Sequence, residues 1–341
     1  MDERIFLNQN IQKQLDWERK FGKIPPLIAL SKNGTTYIAV GGEVRYSKDW
    51  KTFPDFLMDY LKLILGTDWW TKECKKNVSD RHTIVNWSYD TYEFKKRLIP
   101  DKNGIYCAIP TGPYSGLLHI AYDIYVLDHH LKLQTEMIRR LKIQDQFQGA
   151  RYELYTAASC IRAGFNIKFE DEMNKSKKHP EFIATHKKTG QKIAIEAKSR
   201  HRAGVLGQKG SIDDSKKVTM GNLLNKAFSK ETDLPFVIFL DVNLPPPKNN
   251  LLVNSKWMVK VLESIPRVCS KEGKDGCFNL LIFTNIPHHY GDPQQRDPLN
   301  EIAWKLSDCP NNKLEFPEVL SDLINALPLY KNIPNDIFIS K

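Results

Sequence analysis

The chain lacks the cysteine spacings that mark metal sites. The 341 residues include six cysteines, none of which forms a Cys-x-x-Cys pair or a zinc-ribbon spacing. Such paired spacings are what mark zinc sites, and disulfide frameworks belong to oxidising compartments. The sequence therefore predicts reduced core thiols, a cytoplasmic location and no structural zinc.

Long apolar segments are missing as well. The most apolar run, Gly116 to Leu127, is interrupted by His119 and Asp123 and falls short of the roughly 20 residues that a membrane helix needs. The first residues, Met1–Phe6, carry acids where a secretion signal has basic and apolar residues. We therefore expect a soluble protein without a membrane partner.

What the chain does have is a local excess of basic residues. Its formal charge is +10, and the segment from Met173 to Lys230 alone holds 14 Lys/Arg against 4 Asp/Glu, so the rest is close to neutral. A binding site for a polyanion concentrates positive charge in this way. The alternative interpretation of the basic excess is a solvated loop region rich in lysine. We predict nucleic-acid contacts from seven of these side chains: Lys175, Lys177, Lys178, Arg200, Arg202, Lys209 and Lys226.

Two glutamates inside this basic segment are predicted to face each other across a β-hairpin. Residues 179–186 and 191–198 alternate apolar and polar side chains, and a four-residue loop ending in Gly190 separates them. Glycine accepts the positive φ that such loops need. The loop fixes a register in which Glu181 lies directly opposite Glu196, with Cβ atoms about 4.5–5.5 Å apart.

A cation is expected between these two carboxylates, because like charges placed opposite each other destabilise a hairpin. Lys198 lies two residues after Glu196 and therefore on the same, open face of the strand. The other face is apolar and is assigned to the core: Phe182, Ala184, Ile193 and Ile195. Two acids and a lysine on one face of this hairpin favour a metal-dependent hydrolytic site.

The elements around the hairpin predict an α/β fold. A hairpin combined with crossover connections gives a mixed β-sheet with helices on both faces. The elements predicted in chain order are a helix over 145–163, a strand over 165–169, the hairpin, a helix over 220–228, a strand over 236–242, a helix over 256–265 and a strand over 278–284.

We divide the chain into three predicted parts. Residues 1–142 are expected to form a separate α+β N-terminal domain of unknown role, residues 143–290 the α/β domain, and residues 291–341 a C-terminal helical extension packed on it. The elements predicted outside the central part are a hairpin over 26–46, helices over 52–65 and 317–327, and a helical segment over 114–141 that is divided into two helices near Asp128-His129-His130.

The segment of about residues 145–285 resembles the PD-(D/E)xK, or restriction-endonuclease-like, nuclease superfamily. That family has a helix carrying an acid, then a hairpin with an acid after proline and a Glu-x-Lys, here Glu153, Pro180-Glu181 and Glu196-Ala-Lys198. Seven [Asp/Glu]-x-Lys triplets occur in the chain, so the short motif gains meaning only from its hairpin and helix. The family usually has Asp where this chain has Glu181.

The resemblance implies a restriction-endonuclease-like fold and a set of roles. Glu181, Glu196 and the main-chain carbonyl of Ala197 would bind Mg²⁺ or Mn²⁺, which prefer such oxygens. Lys198 would orient the attacking water, and Glu153 would reach the metal shell. The alternatives are a surface helix acid for Glu153 and a plain cross-strand ion pair for Glu196 with Lys198.

Two other patterns in the sequence do not support a function. Gly104-Ile-Tyr106 and Tyr114-Ser-Gly116 are too close together for a GIY-YIG nuclease, and the arginine that family needs on the next helix is missing. The glycines from Gly204 to Gly210 lack the strand-then-helix setting of a dinucleotide loop, and we interpret them as a flexible loop near DNA.

Two functions from different classes remain at this stage. The first is a Mg²⁺-dependent endonuclease acting on DNA, with RNA as a substrate that stays open, in the setting of prokaryotic restriction or phage defence. The second is a nucleic-acid-binding subunit with a degenerate nuclease fold. A homodimer and a subunit of a larger defence complex are both open as assemblies.

Overall fold

The computed structural model describes residues 3–170, 179–208, 210, 220–246, 258–259, 261–263, 265–266, 278–290, 300–307 and 314–337. Its helices are α1 (Glu3–Phe21), α2 (Phe53–Leu65), α3 (Thr67–Cys74), α4 (Thr83–Lys95), α5 (Gly112–His130), α6 (Thr135–Leu141), α7 (Gln144–Arg162), α8 (Gly221–Phe228) and α9 (Glu318–Ala326). Its strands are β1 (Ala29–Lys32), β2 (Thr35–Val40), β3 (Glu43–Ser47), β4 (Phe165–Phe169), β5 (Phe182–His186), β6 (Lys192–Ser199), β7 (Phe236–Asp241), β8 (Leu280–Asn285) and β9 (Glu301–Leu306).

A six-stranded mixed sheet organises the second half of the chain, in the order β4-β5-β6-β7-β8-β9. Strands β4, β5 and β6 are antiparallel, β6, β7 and β8 are parallel, and β9 returns antiparallel at the edge. Strands β1, β2 and β3 form a separate antiparallel sheet. The predicted mixed α/β class with flanking helices is confirmed at this level.

The C-terminal part differs from the prediction in one respect. Helix α9 lies within the predicted range, but Glu301–Leu306 supplies β9, so this part is not purely helical. The burial of β9 is only partial, as expected for an edge strand that shows no continuous apolar run.

Both faces of the six-stranded sheet are covered. On β7, Val237 and Phe239 join an apolar cluster with α5 and α7, whereas Ile238 and Leu240 join a second cluster with α8. All four side chains are fully buried, because successive residues of a strand point to opposite faces. Burial on both faces explains why parallel strands such as β7 are apolar throughout.

The first of these clusters is continuous across residue 142, the predicted domain boundary. It runs from Trp17 of α1 through α2 and α5 to α7 and Tyr330. Helix α5 packs directly on α7, the helix that carries Glu153. In the part of the chain that the structure describes, no helix is long and apolar enough to span a bilayer.

Arg162, at the end of α7, ties three segments together. Arg162 is 1% exposed, and its guanidinium donates to the carbonyls of Phe21, Tyr330 and Asn332 over 3.0–3.1 Å, and also to the carbonyl of Leu329. A buried charge is tolerated when its donors are satisfied in this way. Arg162 therefore fastens α1 and the C-terminal residues to the helix that borders the site.

We predict that Arg162→Met lowers the free energy of unfolding by roughly 3 kcal/mol or more, because several buried carbonyls lose their donor. Urea unfolding followed by circular dichroism measures this. Arg97→Met, which removes an exposed arginine, is the matched control and should leave the midpoint nearly unchanged. Equal midpoints for the two variants would contradict the structural role of Arg162.

Candidate active site

The predicted hairpin is present, with β5 and β6 as its strands. Gly190 closes the loop with a φ of +74°, and the N–H of His186 donates to the carbonyl of Gln191 over 2.9 Å. Every pair from 185–192 to 182–195 has the predicted register. The apolar face is buried in the core as expected, so the loop and the alternation fixed this part correctly.

The register changes at Glu181, and the prediction of a direct Glu181–Glu196 pair is wrong by one residue. The N–H of Glu181 donates to the carbonyl of Ile195 over 3.0 Å, and Phe182 also pairs with Ile195. Two residues opposite one is the arrangement of a β-bulge. The bulge arises because Pro180, the residue before Glu181, has no N–H with which to continue the ladder.

Lys198 nevertheless lies between the two carboxylates, as the predicted cation. Its Nζ is 2.7 Å from Glu181 Oε1 and 2.5 Å from Glu196 Oε1. The prediction of an open face needs correction, because α8 and its apolar cluster cover this side of the sheet. Glu196 is fully buried, and the side chains of Glu181 and Lys198 are only 19% and 22% exposed.

Burial sets the protonation behaviour of the triad that Glu181, Lys198 and Glu196 form. Burial raises the pKa of Glu196 to about 7; Lys198 acts in the opposite direction and Glu181 adds to the increase. Burial also opposes the charge of Lys198, but Glu196 and then Glu181 outweigh it, so its pKa rises. The ammonium is therefore the charged centre that holds the two acids together.

The two oxygens of the Glu196 carboxylate have different surroundings. Lys198 and Lys230 approach Oε1 at 2.5 and 3.5 Å, whereas among the described residues Oε2 has no partner. A buried carboxylate oxygen without a partner is costly. A cation bound at this oxygen would remove that cost.

A divalent cation fits this donor set. In the described ranges, no three His, Cys, Asp or Glu side chains come together as a ready-made metal site. Mg²⁺ does not require such a cage, since it is usually held by one or two carboxylates and completes its shell with waters and substrate phosphates. Glu181, Glu196 and the carbonyl of Ala197 supply oxygens of that kind.

Glu153 lies beside this triad, and its carboxylate is paired with an arginine that was not predicted from the sequence. Arg140, at the end of α6, donates from Nη1 and Nη2 to the two oxygens of Glu153, each over 2.6 Å. Burial raises the pKa of Glu153 to about 7, which the bonds from Arg140 oppose and the charge of Glu181 reinforces. Glu153 is therefore a carboxyl group beside Glu181 that can exchange a proton near neutral pH, and Arg140 fixes its orientation.

Two further residues at the site were also missed. Lys230 reaches Glu196 from beyond the end of α8. His201 lies near α7, the helix that carries Glu153. A Cβ added to Gly149 of this helix would be 3.9 Å from His201 Nε2 and 4.0 Å from Glu153 Oε1. No spacing pattern in the sequence links these side chains, because they come from different elements and meet only in the folded chain.

The predicted nucleic-acid contacts separate into three groups. Lys226 is exposed on α8, and Arg200 is half-buried. Arg202 is 8% exposed and donates to the hydroxyl of Tyr290 over 2.7 Å, so its prediction as a phosphate contact is wrong. Four predicted contacts lie outside the described residues: Lys175, Lys177, Lys178 and Lys209.

We predict that Lys198→Met lowers the free energy of unfolding by about 3 kcal/mol, because it leaves two mostly buried carboxylates without their cation. Urea unfolding in EDTA at pH 7 measures this. The double variant Lys198→Met with Glu196→Gln should recover part of the loss, since one of the repelling charges is gone. Lys168→Met, which removes an exposed lysine of β4, is the control. A Lys198→Met protein as stable as this control would show that the triad is not an ion-pair network.

Comparison of the sequence with protein-family models and with curated proteins gave no match, and comparison with solved structures gave none either. The assignment of a function therefore depends on the geometry of the site.

Proposed function

We propose that this chain is a metal-dependent phosphodiesterase that cleaves DNA internally. The observation that carries the proposal is the Glu181–Lys198–Glu196 triad, in which one buried carboxylate oxygen of Glu196 has no partner among the described residues. Carboxylates beside a lysine supply what phosphodiester hydrolysis needs: oxygens for a divalent ion and a positive charge for the phosphate.

A restriction-endonuclease-like fold is part of this proposal. The order of elements supports it, because an acid-bearing helix precedes a hairpin, and two strands parallel to β6 follow on the same sheet. The resemblance to the PD-(D/E)xK superfamily adds the roles of Glu153, Glu181 and Glu196-Ala-Lys198. Fold and motif together make the proposal more specific than the motif alone.

The residues divide the chemistry between them. Glu181, Glu196 and the carbonyl of Ala197 would hold Mg²⁺ or Mn²⁺, which when bound polarises the phosphate and lowers the pKa of a water. Lys198 contacts both acids and offsets part of their charge. With a metal bound to the acids, Lys198 would be available to the phosphate, where it would orient the attacking water and offset charge that develops in the transition state. Glu153, oriented by Arg140, adds an acceptor for protons of water.

A second candidate function is a nucleic-acid-binding subunit whose nuclease site is inactive. The contact of Lys198 with both acids favours this second candidate, because ion pairs with the carboxylates compete with metal binding at the same oxygens. Glu181 in place of the usual Asp points the same way. Cleavage that depends on a divalent ion separates the two candidates, and RNA is tested as a substrate beside DNA.

For either candidate we propose a cytoplasmic role in prokaryotic restriction or phage defence, as a homodimer or with a partner subunit.

We predict that Glu196→Gln and Lys198→Met each reduce cleavage by about 10²-fold or more, because each removes a group that acts on the transition state. Wild type is incubated with plasmid DNA, single-stranded DNA and RNA, in Mg²⁺ or EDTA, and the best substrate is used for the variants. Glu93→Gln removes an exposed carboxylate and is the matched control. Wild-type rates in both site variants would refute the site assignment, and an inactive wild type would favour the second candidate.

The basic residues should bind phosphates without reading sequence. Lys226→Ala is expected to weaken binding to all DNA sequences alike and to reduce the slope of log affinity against log salt by about one. Arg202→Met should instead lower the melting temperature and leave the salt slope unchanged, since this arginine is buried against Tyr290. Fluorescence anisotropy over a salt series measures the slopes. A slope that changes in Arg202→Met and not in Lys226→Ala would reverse the two assignments.

A further inference from the structure

Lys230 contacts β6 and the segment that leads into β5, the two parts of the hairpin that carry the acids of the site. It lies two residues beyond α8, and its side chain is 22% exposed. Its Nζ donates to the carbonyl of His179 over 2.9 Å and lies 3.5 Å from Glu196 Oε1. His179 directly precedes Pro180 and Glu181, so one ammonium joins the segment that carries Glu181 to the carboxylate of Glu196.

The bond from Lys230 lies where the backbone ladder between β5 and β6 ends. Pro180 cannot donate, and the last inter-strand bond in this direction runs from the N–H of Glu181 to Ile195. Beyond that point, the described contact that ties residue 179 to another element comes from Lys230. A side chain therefore does here what a backbone hydrogen bond does elsewhere in the hairpin.

The same ammonium also bears on the orientation of Glu196. Lys198 and Lys230 both approach Oε1. Attraction to two cations on one side draws Oε1 toward them, and Oε2, the oxygen without a partner among the described residues, is the one presented for a further ligand.

We propose that Lys230 is a positioning residue that holds Glu181 and Glu196 in their working arrangement by fastening the segment after α8 to the segment that leads into β5. The role in catalysis rests on the proposed function, whereas the fastening itself does not. Lys230 acts through the two glutamates and is not assigned a contact with the substrate.

Hydrogen exchange of the metal-free protein tests the fastening directly. In Lys230→Met, the amides of the peptide 179–186 should exchange at least about fivefold faster than in wild type, because the strand start opens locally. Lys230→Arg keeps a charged donor and should restore protection. Lys168→Met removes an exposed lysine of β4 and should exchange like wild type. Unchanged exchange in Lys230→Met would overturn the proposal.

Kinetics at saturating Mg²⁺ then test the consequence. The kcat of Lys230→Met should fall by about tenfold or more while KM for DNA stays within about twofold, as expected when geometry and not substrate binding is lost. A raised KM with unchanged kcat would instead mark Lys230 as a phosphate contact and overturn the positioning role. If wild type cleaves nothing, the proposed function fails, and the exchange experiment still decides whether Lys230 fastens the strand.

Discussion

The contact of one ammonium group with two buried glutamates is the interaction on which the rest of the site depends. Glu196 belongs to β6 and Glu181 directly precedes the neighbouring strand β5, and without a cation their charges would repel each other in a nearly dry environment. Lys198 resolves this repulsion. The same repulsion is what a divalent ion would relieve, so the ion pairs of Lys198 and the proposed metal binding depend on one arrangement of charges.

The scaffold around this triad is supplied by the whole chain. Helix α7 carries Glu153, and the packing of α5 on α7 belongs to a core that continues into the N-terminal sheet. Arg162 fastens the far end of α7 to α1 and to the C-terminal residues. Arg140 comes from α6, before the predicted boundary, and orients Glu153. Residues before 142 therefore contribute packing and a side chain to the site.

Local rules predicted the hairpin well, and tertiary contacts account for most of what was missed. The loop at Gly190 and the alternating pattern fix the register as far as Phe182, and the bulge at Glu181 follows from the missing N–H of Pro180, which is a local signal in the sequence. Arg140 and Lys230 could not be predicted, because Arg140 reaches the site from α6 and Lys230 from the segment after α8. Arg202 was misjudged since its partner, Tyr290, lies far along the chain and only the fold brings them together.

The most direct test of this account is a crystal of the protein grown or soaked with Mn²⁺, measured for anomalous scattering. The account predicts an anomalous peak between the carboxylates of Glu181 and Glu196, with the ammonium of Lys198 displaced from at least one of them. A crystal containing Mn²⁺ that shows no peak there, with Lys198 still in contact with both glutamates, would contradict the account. The triad would then be a structural ion-pair network.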